Sequence, residues 1–165
     1  MEEADVQELI ISLSKVLPRF EDGRINYTNA DIAPIVIAFV KYSDKVLLLK
    51  RSHDVENYRG KWNAVSGFLD VPGPISSKAI DEVCEEIGLS HDDVEGATCG
   101  RPYIQTDSDL SKIWITCPAL ITLKKLPEIK LDFENTEYKW INPEEFGNYD
   151  TTPNLPEAYS RCFIS

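Results

Sequence analysis

The chain has 165 residues, 42% hydrophobic and 27% charged, with 17 Lys and Arg against 28 Asp and Glu and a formal net charge of -11. That length supports one domain with a real core and is short for two. The charge argues against binding long nucleic acid, and no apolar run approaches the ~20 residues of a membrane span.

Residues 3 to 17 set Val6, Leu9, Ile10, Leu13, Val16 and Leu17 at helical spacing, and Pro18 closes the segment. This opening is acidic and amphipathic, unlike a signal or transit peptide, so cytoplasm is the expected location. The helix can pack on its own domain or on a second copy, so a homo-oligomer stays open. After the turn-rich "FEDGRINYTNADIA", the runs "PIVIAFVKY" and "KVLLLKR" around Ser43-Asp44 form a hairpin signature. "SHDVENYRGKW" reads as loop and "NAVSGFLD" as a short strand ending in the turn "VPGP".

A helix follows, starting near Pro74 or Ser76 and stopping at Gly88, with Ile75, Ala79, Ile80, Val83 and Ile87 as its apolar stripe. "GRPYIQTDS" and "KIWITCPALITL" read as strands joined by "DSDLS", and "YKWI" as another short strand. "NPEEFGNY" starts a helix with Asn142 as cap and Pro143 at its first position. Strands around one central helix, with helices at both ends, give an α/β or α+β class with a mixed sheet, in a single domain over residues 1–165. Cys84, Cys99, Cys117 and Cys162 contain no C-x-x-C pair and are expected as reduced thiols, with Cys84 and Cys117 in apolar patterns.

The central helix carries an anomaly. Asp81, Glu82, Glu85 and Glu86 crowd its last turns, where partial negative charge disfavours anions, and the pairs Asp81/Glu85 and Glu82/Glu86 repel. At about 100° per residue, Glu85 and Glu86 lie roughly 60° and 40° either side of Glu82, so the three glutamates share one face. One reading is a solvated acidic face. The other is a seat for a hard divalent cation, since Mg²⁺ takes one or two carboxylates, keeps waters and adds substrate phosphates.

The segment "GFLDVPGPISSKAIDEVCEEIGL" resembles the Nudix box, G-x5-E-x7-R-E-U-x-E-E-x-G-U, with the spacing kept and U a bulky aliphatic residue. Gly67, Glu82, Val83, Glu85, Glu86, Gly88 and Leu89 match; Gly73 stands where the family has Glu, and Asp81 where it has Arg. The flanks "KVLLLKRS", "GKWNAVSG" and "ENTEYKWINPEEF" are similar to the family's elements before and after the box, so the resemblance covers roughly residues 32 to 147. It implies an α/β/α sandwich around a mixed sheet, and a hydrolase that cuts a diphosphate linkage in a small nucleoside diphosphate derivative with Mg²⁺ or Mn²⁺. Carried over, Glu82, Glu85, Glu86 and Gly67 belong to the metal site, and Glu82 positions or deprotonates water.

In the family the box Arg pairs with a box Glu and holds it in place. Asp81 cannot do so, and Gly73 removes a loop carboxylate. A weakened hydrolase or a fold kept for binding therefore stays open beside the catalytic reading. Outside the box, Glu137 and then Glu134 are candidates for a base. Arg51, Arg59 and Lys61 form a cationic cluster that can grip phosphate. Tyr58, Trp62, Tyr103 and Trp114 can stack on a base, although strand aromatics usually pack, as expected for Trp62 and Trp114.

Overall fold

Strand alternation along the first β-branched run fixes the layering. In the computed structural model, which describes residues 1–164, this run is β1 (Ile32–Tyr42). Val36, Ala38 and Val40 point to one face and Phe39 to the other, and all are buried, as in a strand covered on both sides. Ser43, at φ 55°, turns the chain into β2 (Lys45–Arg51), which is the expected hairpin. β1 also pairs parallel with β7 (Lys112–Leu123) and antiparallel with β4 (Val65–Phe68).

Strands β3 (Trp62–Asn63) and β8 (Asn135–Ile141) flank β2. β5 (Val94–Cys99) and β6 (Tyr103–Asp107) pair antiparallel with successive parts of β7. The result is a mixed eight-stranded sheet. Helices α1 (Glu3–Ser14) and α2 (Ile75–Ile87) cover one face, burying Val6, Ile10, Ile75, Ala79, Val83 and Ile87 against it. Phe146, Leu155 and Ala158, the last two from α3 (Leu155–Arg161), pack with Phe39 and Leu48 on the other. The architecture is an α/β/α sandwich.

α2 has no basic residue in its last turn, and its cap position, Pro74, makes no side-chain cap hydrogen bond. Burial of its stripe carries it, at roughly 1.5–3 kcal/mol per large apolar side chain against about 0.3–1 kcal/mol for an unfavourable dipole contact. Gly88, at φ 72°, ends it by donating its N–H to the Cys84 carbonyl at 3.0 Å.

Some boundaries differ from the sequence reading. α1 stops at Ser14 rather than residue 17, and "PEEFGN" is a 3₁₀ helix over Pro143–Asn148. β5 and α3 escape pattern reading because they are short, and β5 is half exposed with Gly96 inside it. No cysteine is in a disulfide; Cys117 and Cys162 are buried, while Cys84 is only half buried. Among the described residues no helix is long and apolar enough to cross a membrane.

Candidate active site

The apolar stripe of α2 turns Glu82, Glu85 and Glu86 toward the end of β4, but into unequal surroundings. Glu86 is 4% exposed; it accepts from the Ser66 N–H at 3.3 Å and from the Asn135 side-chain amide at 3.1 Å, and no described cation pairs with it. Burial, reinforced by Glu134 and Glu82, holds its carboxyl far above the usual carboxylate range. Glu82 is raised by burial too, but less freely, because Lys78 one turn earlier meets it at 2.8 Å. Burial opposes the charge on Lys78, yet Glu82 holds its pKa above the ordinary lysine value.

Lys78 also reaches Asp70 at 3.3 Å, and Asp70, 5% exposed, takes Arg24 on its other oxygen at 3.3 Å. Gly67 faces this chain of ions from β4. A Cβ there would overlap the Glu82 carboxyl group, so glycine is what lets the carboxylate lie against the strand.

The opposite wall comes from β2 and the start of β8. The pairing shifts register after Lys50: Lys50 faces Glu137, whereas Arg51 faces Asn135, so Thr136 is an extra residue. Arg51 and Asn135 thereby lie on the α2 side of the sheet. Arg51 donates from Nε to the Asn57 carbonyl at 2.9 Å, forms no ion pair among the described residues, and is pushed down by burial. Glu134 joins it in the wall, its carboxyl raised by burial and by Asp132. Ile35, Phe68, Trp114 and Phe133 line the apolar part, with Phe68 stacked on Tyr27 at 5.5 Å. The cleft between these walls holds about 460 Å³ and is lined by Glu82, Glu85, Gly67, Arg51 and Glu134 among others. That is the size range of small-molecule sites.

Two cations and one base expected from the sequence lie elsewhere. Glu137 is half exposed and pairs with Lys50 at 3.3 Å on the sheet face away from α2, so Glu134 takes the cleft position. Lys61 pairs with Asp150 at 2.8 Å, and Arg59 donates to the Val55 carbonyl at 2.8 Å; neither lines the cleft. Arg51 alone of the three does. Tyr58 lines the cleft too, with its hydroxyl hydrogen-bonded to Asp107. Trp62 packs edge-on to Tyr149, as expected, whereas Trp114 is buried in the core and also lines the cleft. Tyr103 lies under the Arg161 guanidinium at 4.1 Å, outside the cleft.

Among the described residues no three His, Cys, Asp or Glu side chains form a ready cage for a metal. The donor set nevertheless fits Mg²⁺ or Mn²⁺. Glu82, Glu85, Glu86 and Glu134 form a cluster of carboxyl groups in which burial holds three, Glu82, Glu86 and Glu134, above the usual carboxylate range. Mg²⁺ completes its shell with water and phosphate and needs only one or two such groups.

A family model for the NUDIX domain matches residues 31–162, most of the chain. The chain belongs to the NUDIX family. No curated protein matches it. Among solved structures it is similar to a NUDIX hydrolase from Nitrosomonas europaea, at 20% identity and TM-score 0.64, covering 78% of this chain and 86% of that one. A C. elegans Ap4A hydrolase binary complex shares 16% identity at TM-score 0.64, covering 78% and 93%. A Francisella tularensis bifunctional NMN adenylyltransferase/ADP ribose pyrophosphatase, complexed with AMP and Mn ion, shares 20% at TM-score 0.61, covering 96% of this chain and 46% of that chain. At these identities the likeness is one of fold.

Within this NUDIX fold the two unusual box positions have separate explanations. Asp81 points away from Glu82 and meets the exposed His91 at 3.0 Å. Gly73 is exposed, and both its backbone polar groups are bound by the side chain of Gln7. Sequence reasoning missed Lys78, Asn135 and Gln7. Lys78 is four residues before Glu82, a spacing that favours an ion pair and was available as a signal; the other two act across long sequence separations that no local pattern reports.

Proposed function

We propose that this NUDIX protein is a hydrolase that opens a diphosphate linkage in a small nucleotide derivative, with Mg²⁺ or Mn²⁺ held by Glu82, Glu85 and Glu86 beside Gly67. The observation that carries this reading is the cleft itself, where the box carboxylates face Arg51 and Glu134 across about 460 Å³. When bound, such a cation offsets phosphate charge and lowers the pKa of water.

The protein's own groups do the rest. Arg51, whose Nε is held by the Asn57 carbonyl and which forms no ion pair among the described residues, grips a phosphate oxygen. Water attacks one phosphorus, the bridging P–O bond breaks, and the departing phosphate carries away the electron pair. Glu82 or Glu134 accepts the proton from the water; both lie in the cleft, and burial makes both more basic than an exposed carboxylate. Lys78 keeps Glu82 pointed at the cleft. The named activities of the Ap4A hydrolase and the ADP ribose pyrophosphatase fit a nucleotide substrate. The cytoplasm suits four unpaired cysteines.

A second reading, a module that binds a nucleotide without turnover, draws on the Lys78–Glu82 pair, which already neutralises one box carboxylate. Release of phosphate or mononucleotide from a panel of nucleoside triphosphates, dinucleotides and sugar nucleotides, with Mg²⁺ and then Mn²⁺, decides between them. Turnover of any member supports the hydrolase; saturable binding with no product supports the module.

A further inference from the structure

We infer that α1, which lies before the residues matched by the NUDIX family, is part of the active-site scaffold, with Gln7 as a positioning residue for the box. The inference rests on the hydrolase reading. Gln7 donates from Nε2 to the Gly73 carbonyl at 2.7 Å and accepts from the Gly73 N–H at 2.9 Å, so one amide clamps both polar groups of the residue that replaces the box glutamate. One turn earlier, Glu3 accepts from the Ile75 N–H at 2.9 Å, satisfying a first-turn donor of α2 and placing an anion at its positive end. The side chain of Pro74 supplies no such cap.

The clamp is anchored on both sides. Val6 and Ile10, fully buried, flank Gln7 and pack in the same core as Ile75 and Ala79 of α2. The loop from Val71 to Pro74 is otherwise exposed, and Gly73 has no atom within 4 Å of where a Cβ would lie. Without Gln7 neither polar group of Gly73 is held, only Glu3 and the buried Ile75 fix the entry to α2, and α2 carries Lys78 and Glu82. A fixed start to the helix fixes the direction of both. An amide from a helix that precedes the family-matched residues performs this task here.

The test compares Gln7→Ala, Gln7→Glu and two controls in the full chain. Glu8→Ala alters an exposed residue of α1 whose side chain makes no hydrogen bond among the described residues, and Ile141→Val weakens the core on the opposite face of the sheet without touching α1 or the loop. Thermal melts, Mn²⁺ affinity by electron paramagnetic resonance, and kcat and KM on the best substrate of the panel are measured for each. Gln7→Ala is expected to weaken Mn²⁺ binding and lower kcat by about 10-fold or more with KM little changed, the range for groups that orient metal ligands. Gln7→Glu keeps the acceptor for the Gly73 N–H and loses the donor, so its losses fall between those of wild type and Gln7→Ala. Ile141→Val lowers the melting temperature yet keeps both properties.

Wild-type Mn²⁺ affinity in Gln7→Ala overturns the inference, as does an Ile141→Val that loses as much kcat. If no substrate is turned over, the hydrolase reading fails and Mn²⁺ affinity alone judges the clamp. A wild type that binds no Mn²⁺ and hydrolyses nothing overturns both.

Discussion

Asp81 and Glu82 are adjacent on one helix and meet different chemistry. Asp81 stands half exposed beside an exposed His91, whereas Glu82 is mostly buried between Lys78 and the bare backbone of Gly67. The next turn repeats the contrast, with Glu85 exposed and Glu86 enclosed by Asn135 and Ser66. Four like charges in six residues are thus two populations. The direction each leaves the helix, set by the apolar stripe, decides whether it is solvated or made to resist ionisation. Crowding at the helix end contributes less than the sequence suggests: for Glu82 and Glu86 burial is the largest cause, ahead of neighbouring carboxylates.

The sharpest break of this comparison is Glu82→Gln against Asp81→Asn. The first is expected to lower kcat at least about a hundredfold, equivalent to about 2.7 kcal/mol, and the second to stay within about twofold. Steady-state kinetics on the best panel substrate read both; equal losses would erase the distinction between the two edges.

Lys78→Met against His91→Ala asks the same of the cations. Lys78 orients a buried carboxylate, so its loss is expected to reduce kcat about tenfold, whereas His91→Ala removes only an exposed pair worth about 0–1 kcal/mol to stability. A wild-type kcat for Lys78→Met would show that Glu82 keeps its position unaided.

Glu86 separates the populations without any substrate. Arg51, Glu134 and Glu82 are the charged groups that face it, and its folded pKa lies above its unfolded value. In metal-free protein the native state then keeps a proton that the unfolded chain has released. Stability is greatest below the unfolded value of about 4.3 and declines as pH rises toward the folded one. Thermal melts at pH 5, 6, 7 and 8 in a chelator are expected to show that decline in wild type and a flatter profile in Glu86→Gln. Adding 10 mM Mg²⁺ at neutral pH should return about 1.4 kcal/mol for a Kd near 1 mM, in wild type only. Parallel profiles would place Glu86 with the solvated group.

The smallest effect concerns the loop. Gly73 has φ 155°, a conformation that side chains rarely adopt. Restoring the family's residue by Gly73→Glu is therefore expected to cost about 1–2 kcal/mol in a chemical denaturation series, even with open space around it. An unchanged midpoint would mean that the loop relaxes at no cost.

Much of this was legible in the sequence because it is local. The β1–β2 hairpin, the α2 stripe and the shared face of Glu82, Glu85 and Glu86 follow from spacing alone, and the box spacing located the cleft. The errors fall where distant segments meet. Glu137 looked nearer the site than Glu134, because the face that Glu137 takes is set by its pairing with Lys50 of β2 and is invisible in "ENTEYKW". Arg59 and Lys61 were grouped with Arg51 by proximity in sequence, yet Lys61 was drawn off by Asp150, 89 residues away. Glu3 caps the box helix at Ile75 from 72 residues away, beyond the reach of any local pattern.

The extra residue on β8 has a consequence of its own. Along a strand, odd and even positions are two addresses, one on each side of the sheet, and a single added residue exchanges them for everything beyond it. Thr136 is that residue. Were the pairing regular beyond Glu137, Thr136 would stand opposite Arg51 and Asn135 would fall on the far side of the sheet, away from Glu86. The site is therefore encoded partly as a register: the same residues, paired one step along, would build a different wall.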